Sequence, residues 1–158
     1  MQSTHHLIRR NSKLGYCQGL NGLVGFFLQR EFAEEVGRWC KQDCFWILVK
    51  ILEDLMPKDY YSNMLPLTAD LKLVYKLGSN MFPDLFAHMK EISLDLSMIL
   101  VESFLTIFTN TCHSRIADVI MDHFLLHGPV VLMKAQLLIF GYFRKKLMTA
   151  DNLGTFGL

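Results

Sequence analysis

Gln18 carries a neutral carboxamide that donates and accepts hydrogen bonds at once, and it stands in the run Gly15-Tyr16-Cys17-Gln18-Gly19-Leu20-Asn21. A basic, polar lead precedes this run (His5, His6, Arg9, Arg10, Lys13), and an apolar one follows it, Leu23-Val24-Gly25-Phe26-Phe27-Leu28. Glycines at 15 and 19 bracket an aromatic ring, a thiol and an amide, and a glycine lets another molecule's backbone approach closely. If the apolar run is a buried helix, the loop has a rigid base. An amide held there suits orienting a water molecule or a peptide group, not general acid or base chemistry. Taken alone, Gly-x-x-Gln-Gly is also read as a solvated loop at a helix start.

The other chemistry-bearing residues are sparser. Cys17 lies near a predicted helix N-terminus, which lowers a thiol's pKa, but nothing in the spacing of His5 and His6 fixes a Cys–His geometry. Cys40-x-x-x-Cys44 has no second pair at zinc-ligand spacing, even counting Cys112-His113 and His5-His6, so reduced thiols packed among helices are expected and no metal. No Gly-x-x-x-x-Gly-Lys-[Ser/Thr] loop, Gly-x-Ser-x-Gly elbow or His-Glu-x-x-His pair occurs. Glu102 is a single carboxylate within a long apolar segment, read as facing solvent or pairing with a nearby base rather than as catalytic.

The elements that position these residues read as helices throughout. A short helix is predicted over 4–11 and a loop over 12–19. A helix over 19–30 follows, apolar on nearly all sides and therefore buried. Residues 31–41 form a charged surface helix or loop in which Trp39 covers the core. With Asp43 as N-cap, Phe45, Leu48, Val49 and Leu52 make one helical stripe, with Trp46 beside it and Pro57 ending the segment. Residues 58–67 are a connector with a tyrosine pair. Thr68 caps a helix over 69–79, and Pro83 opens one running to Lys90. The apolar helix over 96–110 is followed by a helix capped by Ser114, which Gly128 stops. Pro129 starts the last helix, which ends near Met148 with Arg144, Lys145 and Lys146 at its dipole-favoured end. No window alternates as a strand does, so the expected fold class is all-α.

The chain has 158 residues, 51% apolar and 20% charged, enough for one domain with a sizeable core. The formal net charge of +1 gives no field favouring nucleic acid or an anionic membrane. No apolar run reaches the ~18 residues of a membrane span, and no signal peptide opens the chain, so the expected location is the cytosol.

Tyr16-Cys17-Gln18-Gly19-Leu20-Asn21 resembles the Y-x-Q-G-M-N signature of the TBC domain, the all-helical domain of GTPase-activating proteins for Rab GTPases, with Leu20 in place of Met. Phe45-Trp46-Ile47-Leu48-Val49-Lys50-Ile51-Leu52-Glu53-Asp54 and Tyr60-Tyr61-Ser62-Asn63-Met64-Leu65 resemble its next blocks. Arg115-Ile116-Ala117-Asp118-Val119-Ile120-Met121-Asp122 and Leu125-Leu126-His127-Gly128 resemble a later one. Met121 stands where the family has Trp, and Glu102-Ser103 stand before Phe104-Leu105 where a Trp is usual. The match spans about 7–149, four blocks in the family's order.

The resemblance implies a partial Rab-GAP TBC domain over 1–158, its larger C-terminal portion. Gln18 is then the water-positioning glutamine finger, and Tyr16, Cys17, Gly19 and Asn21 line the GTPase-contacting loop. GTP and Mg²⁺ belong to the partner Rab, and the chain is an activator in membrane traffic, peripheral to endomembranes, and not itself a hydrolase. The family's arginine finger comes from an I-x-x-D-x-x-R motif. If Arg9 were the finger, the positions of the motif's isoleucine and aspartate would hold Ser3 and His6; if Arg10 were, they would hold Thr4 and Leu7. Neither fits, so the chain alone is expected to activate weakly. The alternative readings are a non-catalytic small-GTPase-binding or scaffold module, and a helical interaction domain with no GTPase partner. An exposed apolar patch near the N-terminal helices, open to self-association or a partner, is expected to mark the missing part.

Overall fold

Seven α-helices build the described part of the chain, which in this computed structural model comprises residues 10, 19–30 and 41–149, the side chains of Arg30, Lys41 and Met98 excepted. In chain order they are α1 (Leu20–Arg30), α2 (Lys41–Lys50), α3 (Leu65–Met81), α4 (Pro83–Glu91), α5 (Ser97–Leu105), α6 (Ser114–His127) and α7 (Val130–Leu147). A π-helical turn, Ile51–Leu55, continues α2. No strand occurs among the described residues, and the all-α expectation holds.

The stripes meet in one core. In α1, Leu20, Leu23, Val24 and Phe27 recur at helical spacing and are buried together with Phe26, while Asn21 and Gln29 face outward. α1 packs on α2, where the buried Cys44 thiol donates to the Phe27 carbonyl at 3.6 Å. α3 packs on α4, α5 and α7, and α6 packs on α7. Phe104, Phe108, Phe124, Leu85 and Leu132 sit in the same cluster, all essentially without exposure. Phe26, Phe27 and Leu105 are buried as the sequence indicates. Met121, in the place of a tryptophan, is buried too. Asp122 is exposed.

Several boundaries differ from expectation, each for a local reason. Asp43 is not an N-cap but lies in the first turn of α2, where a carboxylate suits the helix dipole. After Lys50 the ladder widens, with Met56 N–H donating to the Ile51 carbonyl at 2.9 Å. This π turn inserts a residue into the helical register, burying Ile51, Leu52 and Met56 and leaving Glu53 and Asp54 at the surface.

α3 starts at Leu65, ahead of Thr68. Its entry is set by Met64 at φ 57°, by Asn63 Oδ1 accepting from Leu65 N–H at 3.0 Å, and by Pro66, whose fixed φ suits a first turn. Thr68 lies inside that turn and donates to the Met64 carbonyl. His113, not Ser114, caps α6. α5 stops at Leu105 rather than Asn110, because Ile107 and Phe108 take left-handed φ values of 51° and 61°. Among the described residues the exposed large apolar side chains, including Trp46, Leu73, Leu126, Leu138 and Tyr142, are spread over α2, α3, α6 and α7 rather than gathered at the N-terminal helices.

Candidate functional site

The glutamine loop enters the described structure at Gly19. Gly19 is buried and left-handed, with φ 99°, a conformation that costs an L side chain. Its carbonyl accepts from Gly22 N–H at 3.0 Å and from Leu23 N–H at 3.2 Å, closing the first turn of α1. A Cβ on Gly19 would sit 2.8 Å from the Thr106 methyl. Gly22 faces the Asn110 carboxamide in the same way: a Cβ there would lie 2.6 Å from Asn110 Nδ2. Gly19 is therefore tied to glycine by its φ and by Thr106, whereas at Gly22 the neighbour is an exposed side chain that can turn away; both neighbours belong to the turn that ends α5. Asn21 is exposed on the first turn of α1. Tyr16, Cys17 and Gln18 lie outside the described residues, as do Cys40, Trp39 and most of the first predicted helix.

The α5 turn is itself well anchored. Thr106 is fully buried and donates from Oγ1 to the Glu102 carbonyl at 2.8 Å. Phe108 N–H donates to the Ser103 carbonyl at 2.7 Å, and Ile107 and Phe108 are buried. The Ser103 hydroxyl donates to the Ile99 carbonyl and also bonds Thr111 Oγ1 at 2.9 Å. Asn110 Nδ2 donates to the Glu102 carboxylate at 3.5 Å. Glu102 is thus exposed, as its isolation in an apolar helix suggested, and its partner is an amide rather than a base.

From the same turn the site extends to a groove. The Tyr61 hydroxyl donates to the Leu105 carbonyl at 3.2 Å, a buried bond. Tyr61 lines an open groove of about 690 Å³, together with Arg10, Glu53, Asp59 and Tyr60 among others. Tyr60 donates to Asp70 Oδ2 at 3.0 Å. Burial first, then the neighbouring Asp70, pushes the Tyr60 hydroxyl far above the ordinary phenol range, so it stays a donor. Burial also raises Asp70, against the opposing pull of the Tyr60 hydrogen bond. Arg10 is held at the groove edge, its guanidinium 5.3 Å from the Trp46 ring centroid and 3.5 Å from Glu53.

The described residues give α1 an entry at Gly19 and Gly22 packed against the α5 turn, and Tyr61 ties that turn to a groove of mixed charge. Sequence reasoning named Gly19 and Asn21 but not Thr106 and Asn110, which meet Gly19 and Gly22, nor Tyr61, which bonds the residue before Thr106. The isolated charge of Glu102 and the Tyr60-Tyr61 pair were the available signals, and neither says which distant segment it meets. Among the described residues no group of three or more His, Cys, Asp or Glu could hold a metal ion.

Residues 5–148 match the Rab-GTPase-TBC domain. The chain belongs to that family. It is 35% identical over 144 residues to TBC1 domain family member 2A of Homo sapiens, covering 90% of this chain and 15% of that protein. It is 34% identical over 147 residues to TBC1 domain family member 2B of Mus musculus, covering 90% of this chain and 14% of that one. Among solved structures, the Chlamydomonas flagellar RabGAP TBC domain superposes with a TM-score of 0.76 at 23% identity, over 92% of this chain and 46% of that chain; it shares the fold. This TBC chain therefore spans about a seventh of the curated relatives it matches. No helix among its described residues is long and apolar enough to cross a membrane.

Proposed function

We propose that this chain engages a Rab-family GTPase and promotes hydrolysis of its GTP in membrane traffic, with Gln18 orienting the attacking water. The observation that carries the reading is Gly19: left-handed and pressed against Thr106, it fixes the start of α1 one residue after Gln18. Hydrolysis builds charge on the transferred phosphoryl group and needs an in-line water. An amide can direct that water but brings no positive charge. Tyr16, Cys17, Gly19 and Asn21 form the GTPase-contacting loop in this reading, and GTP and Mg²⁺ come with the partner.

The arginine is proposed to come from a segment outside this chain, residues 1–158 being the larger C-terminal portion of the domain. Arg10 supports that view, because it is already engaged by Trp46 and Glu53. An arginine finger contributes roughly 10³–10⁵ in rate, or about 4–7 kcal/mol of transition-state stabilisation.

Single-turnover GTP hydrolysis across a panel of Rabs tests this. Three proteins are compared: the 158-residue chain, the chain extended upstream by an I-x-x-D-x-x-R segment, and the extended chain with Gln18→Ala. Weak acceleration, strong acceleration and a strong loss are expected in that order. Robust acceleration by the short chain removes the missing-arginine argument. An extended chain that binds a Rab without accelerating it favours the binding-module reading. The proposed site of action is the cytosolic face of endomembranes, tested by imaging the tagged chain. Self-association through an apolar patch would draw on Trp46, 56% exposed on α2; a monomer in sedimentation at high concentration removes it.

A further inference from the structure

We propose that Asn110, braced by Glu102, and the methyl group of Thr106 are positioning residues for the glutamine loop. They hold the entry of α1 at Gly22 and Gly19 and thereby set the direction in which Gln18 is presented to a bound GTPase. The inference rests on the reading of Gln18 given above and adds the elements that aim it.

The geometry has two contacts and one anchor. Gly19 lies against the Thr106 methyl and Gly22 against the Asn110 carboxamide, each closely enough that no Cβ fits without a shift. These are successive points on the first turn of α1, whose ladder begins at the Gly19 carbonyl. Both partners belong to the turn after α5. That turn is locked by the left-handed Ile107 and Phe108, unusual for a β-branched and an aromatic residue. Such backbone persists only where its surroundings over-determine it, and here both side chains are buried. Asn110 is exposed, and its Nδ2 reaches the Glu102 carboxylate at 3.5 Å. Its amide adds little to the core, so its placement against Gly22 is better explained by orientation than by burial.

Aim and stability can be separated here. Gly22→Ala places a methyl group where the Asn110 amide sits and drives that exposed side chain away, while alanine favours the helix. Asn110→Ala removes the amide and leaves the core untouched. Three measurements decide the matter: the thermal midpoint and residue-resolved amide exchange of the 158-residue chain, and single-turnover hydrolysis on the Rab panel, at varied protein concentration, by that chain extended upstream with the I-x-x-D-x-x-R segment. In both variants the midpoint should stay level, or rise for Gly22→Ala. Exchange at Gly22 and Leu23 should quicken about tenfold with α3 and α7 unchanged, as for a local opening. The maximal hydrolysis rate should fall roughly 10–100-fold, as for a misplaced catalytic group, with the half-saturating concentration nearly constant.

Unchanged exchange and rate in both variants overturn the proposal, and so does loss of protection spread evenly over the chain, which would make the contacts merely structural. An extended parent chain that accelerates no Rab counts against the activator reading instead, and the exchange at Gly22 and Leu23 then decides the brace by itself.

Discussion

Tyr61 is the residue on which the groove and the glutamine loop share a support. Its hydroxyl donates to the Leu105 carbonyl across 44 residues of sequence, and Leu105 precedes the Thr106 that meets Gly19. Tyr61→Phe keeps the buried ring and deletes the donor, leaving a buried carbonyl short of a partner. The expected cost is about 1–3 kcal/mol, read as a lower urea midpoint at constant slope. A midpoint unchanged within error would mean that the Leu105 carbonyl finds another donor. At the same scale, Gly19→Ala combines a left-handed φ with the 2.8 Å approach to Thr106. It should be destabilising by on the order of 1–3 kcal/mol, in contrast to the neutral or stabilising Gly22→Ala.

Among the elements, α3 and α4 meet at a glycine. Gly78 is buried within α3, and a Cβ there would lie 2.5 Å from the tip of the Phe86 ring. Phe86 is flanked edge-on by Tyr75 and Phe140, at centroid distances of 5.8 and 5.5 Å. The ring cannot retreat without disturbing both. Helix propensity alone would favour alanine at 78, but the overlap decides the sign: Gly78→Ala is expected to destabilise by about 1–3 kcal/mol. Chemical denaturation measures it, and a more stable variant would show that Phe86 moves aside freely. The π turn after α2 is the other element-scale feature. By widening the ladder it turns Glu53 and Asp54 towards the groove edge, where Asp54 also takes an ion pair from Lys50 at 2.9 Å.

For the whole molecule, the response to pH follows from carboxylates on different elements. The Arg144 guanidinium holds Asp84 below the ordinary carboxylate range, joining the first turn of α4 to the last turn of α7 across 60 residues. The Ser97 backbone N–H does the same for Asp95. A depressed folded value means that the stabilisation is complete above the ordinary value of about 3.9 and is lost as pH falls through the lower, folded one. Asp70, raised by burial, has the opposite sign: its contribution is complete below the ordinary value and is lost as pH rises through the raised one. Urea midpoints measured from about pH 2 to pH 7, a range that brackets these carboxylates, should therefore show a shallower acid limb for Asp84→Asn than for the parent chain. Asp70→Asn should gain on the parent as pH rises through the acid range. Parallel curves for all three proteins would contradict both assignments. Asp84 and Arg144 are solvent-accessible, so the Asp84 effect is small.

Local pattern alone determined the all-α class, the buried stripes of α1 and α2, the stop at Gly128 and the membership carried by four ordered blocks. The reason is that helical periodicity, capping and glycine or proline punctuation act over a few residues. Where local signals competed, the sequence was less decisive: Asn63 and Pro66 started α3 ahead of Thr68, and the left-handed Ile107 and Phe108 ended α5 ahead of Asn110. The candidate site divides in the same way. Gln18, Gly19 and Asn21 are legible as a motif, whereas the supports at Thr106, Asn110 and Tyr61 are not, because each meets a segment far away in the chain. Such contacts exist only once α1, the tyrosine-bearing turn and the end of α5 have packed on one core. Tertiary packing chose them by closing side chains of the α5 turn onto bare backbone at Gly19 and Gly22, where the absence of a side chain leaves room for a neighbour and no sign in the sequence of which neighbour it will be.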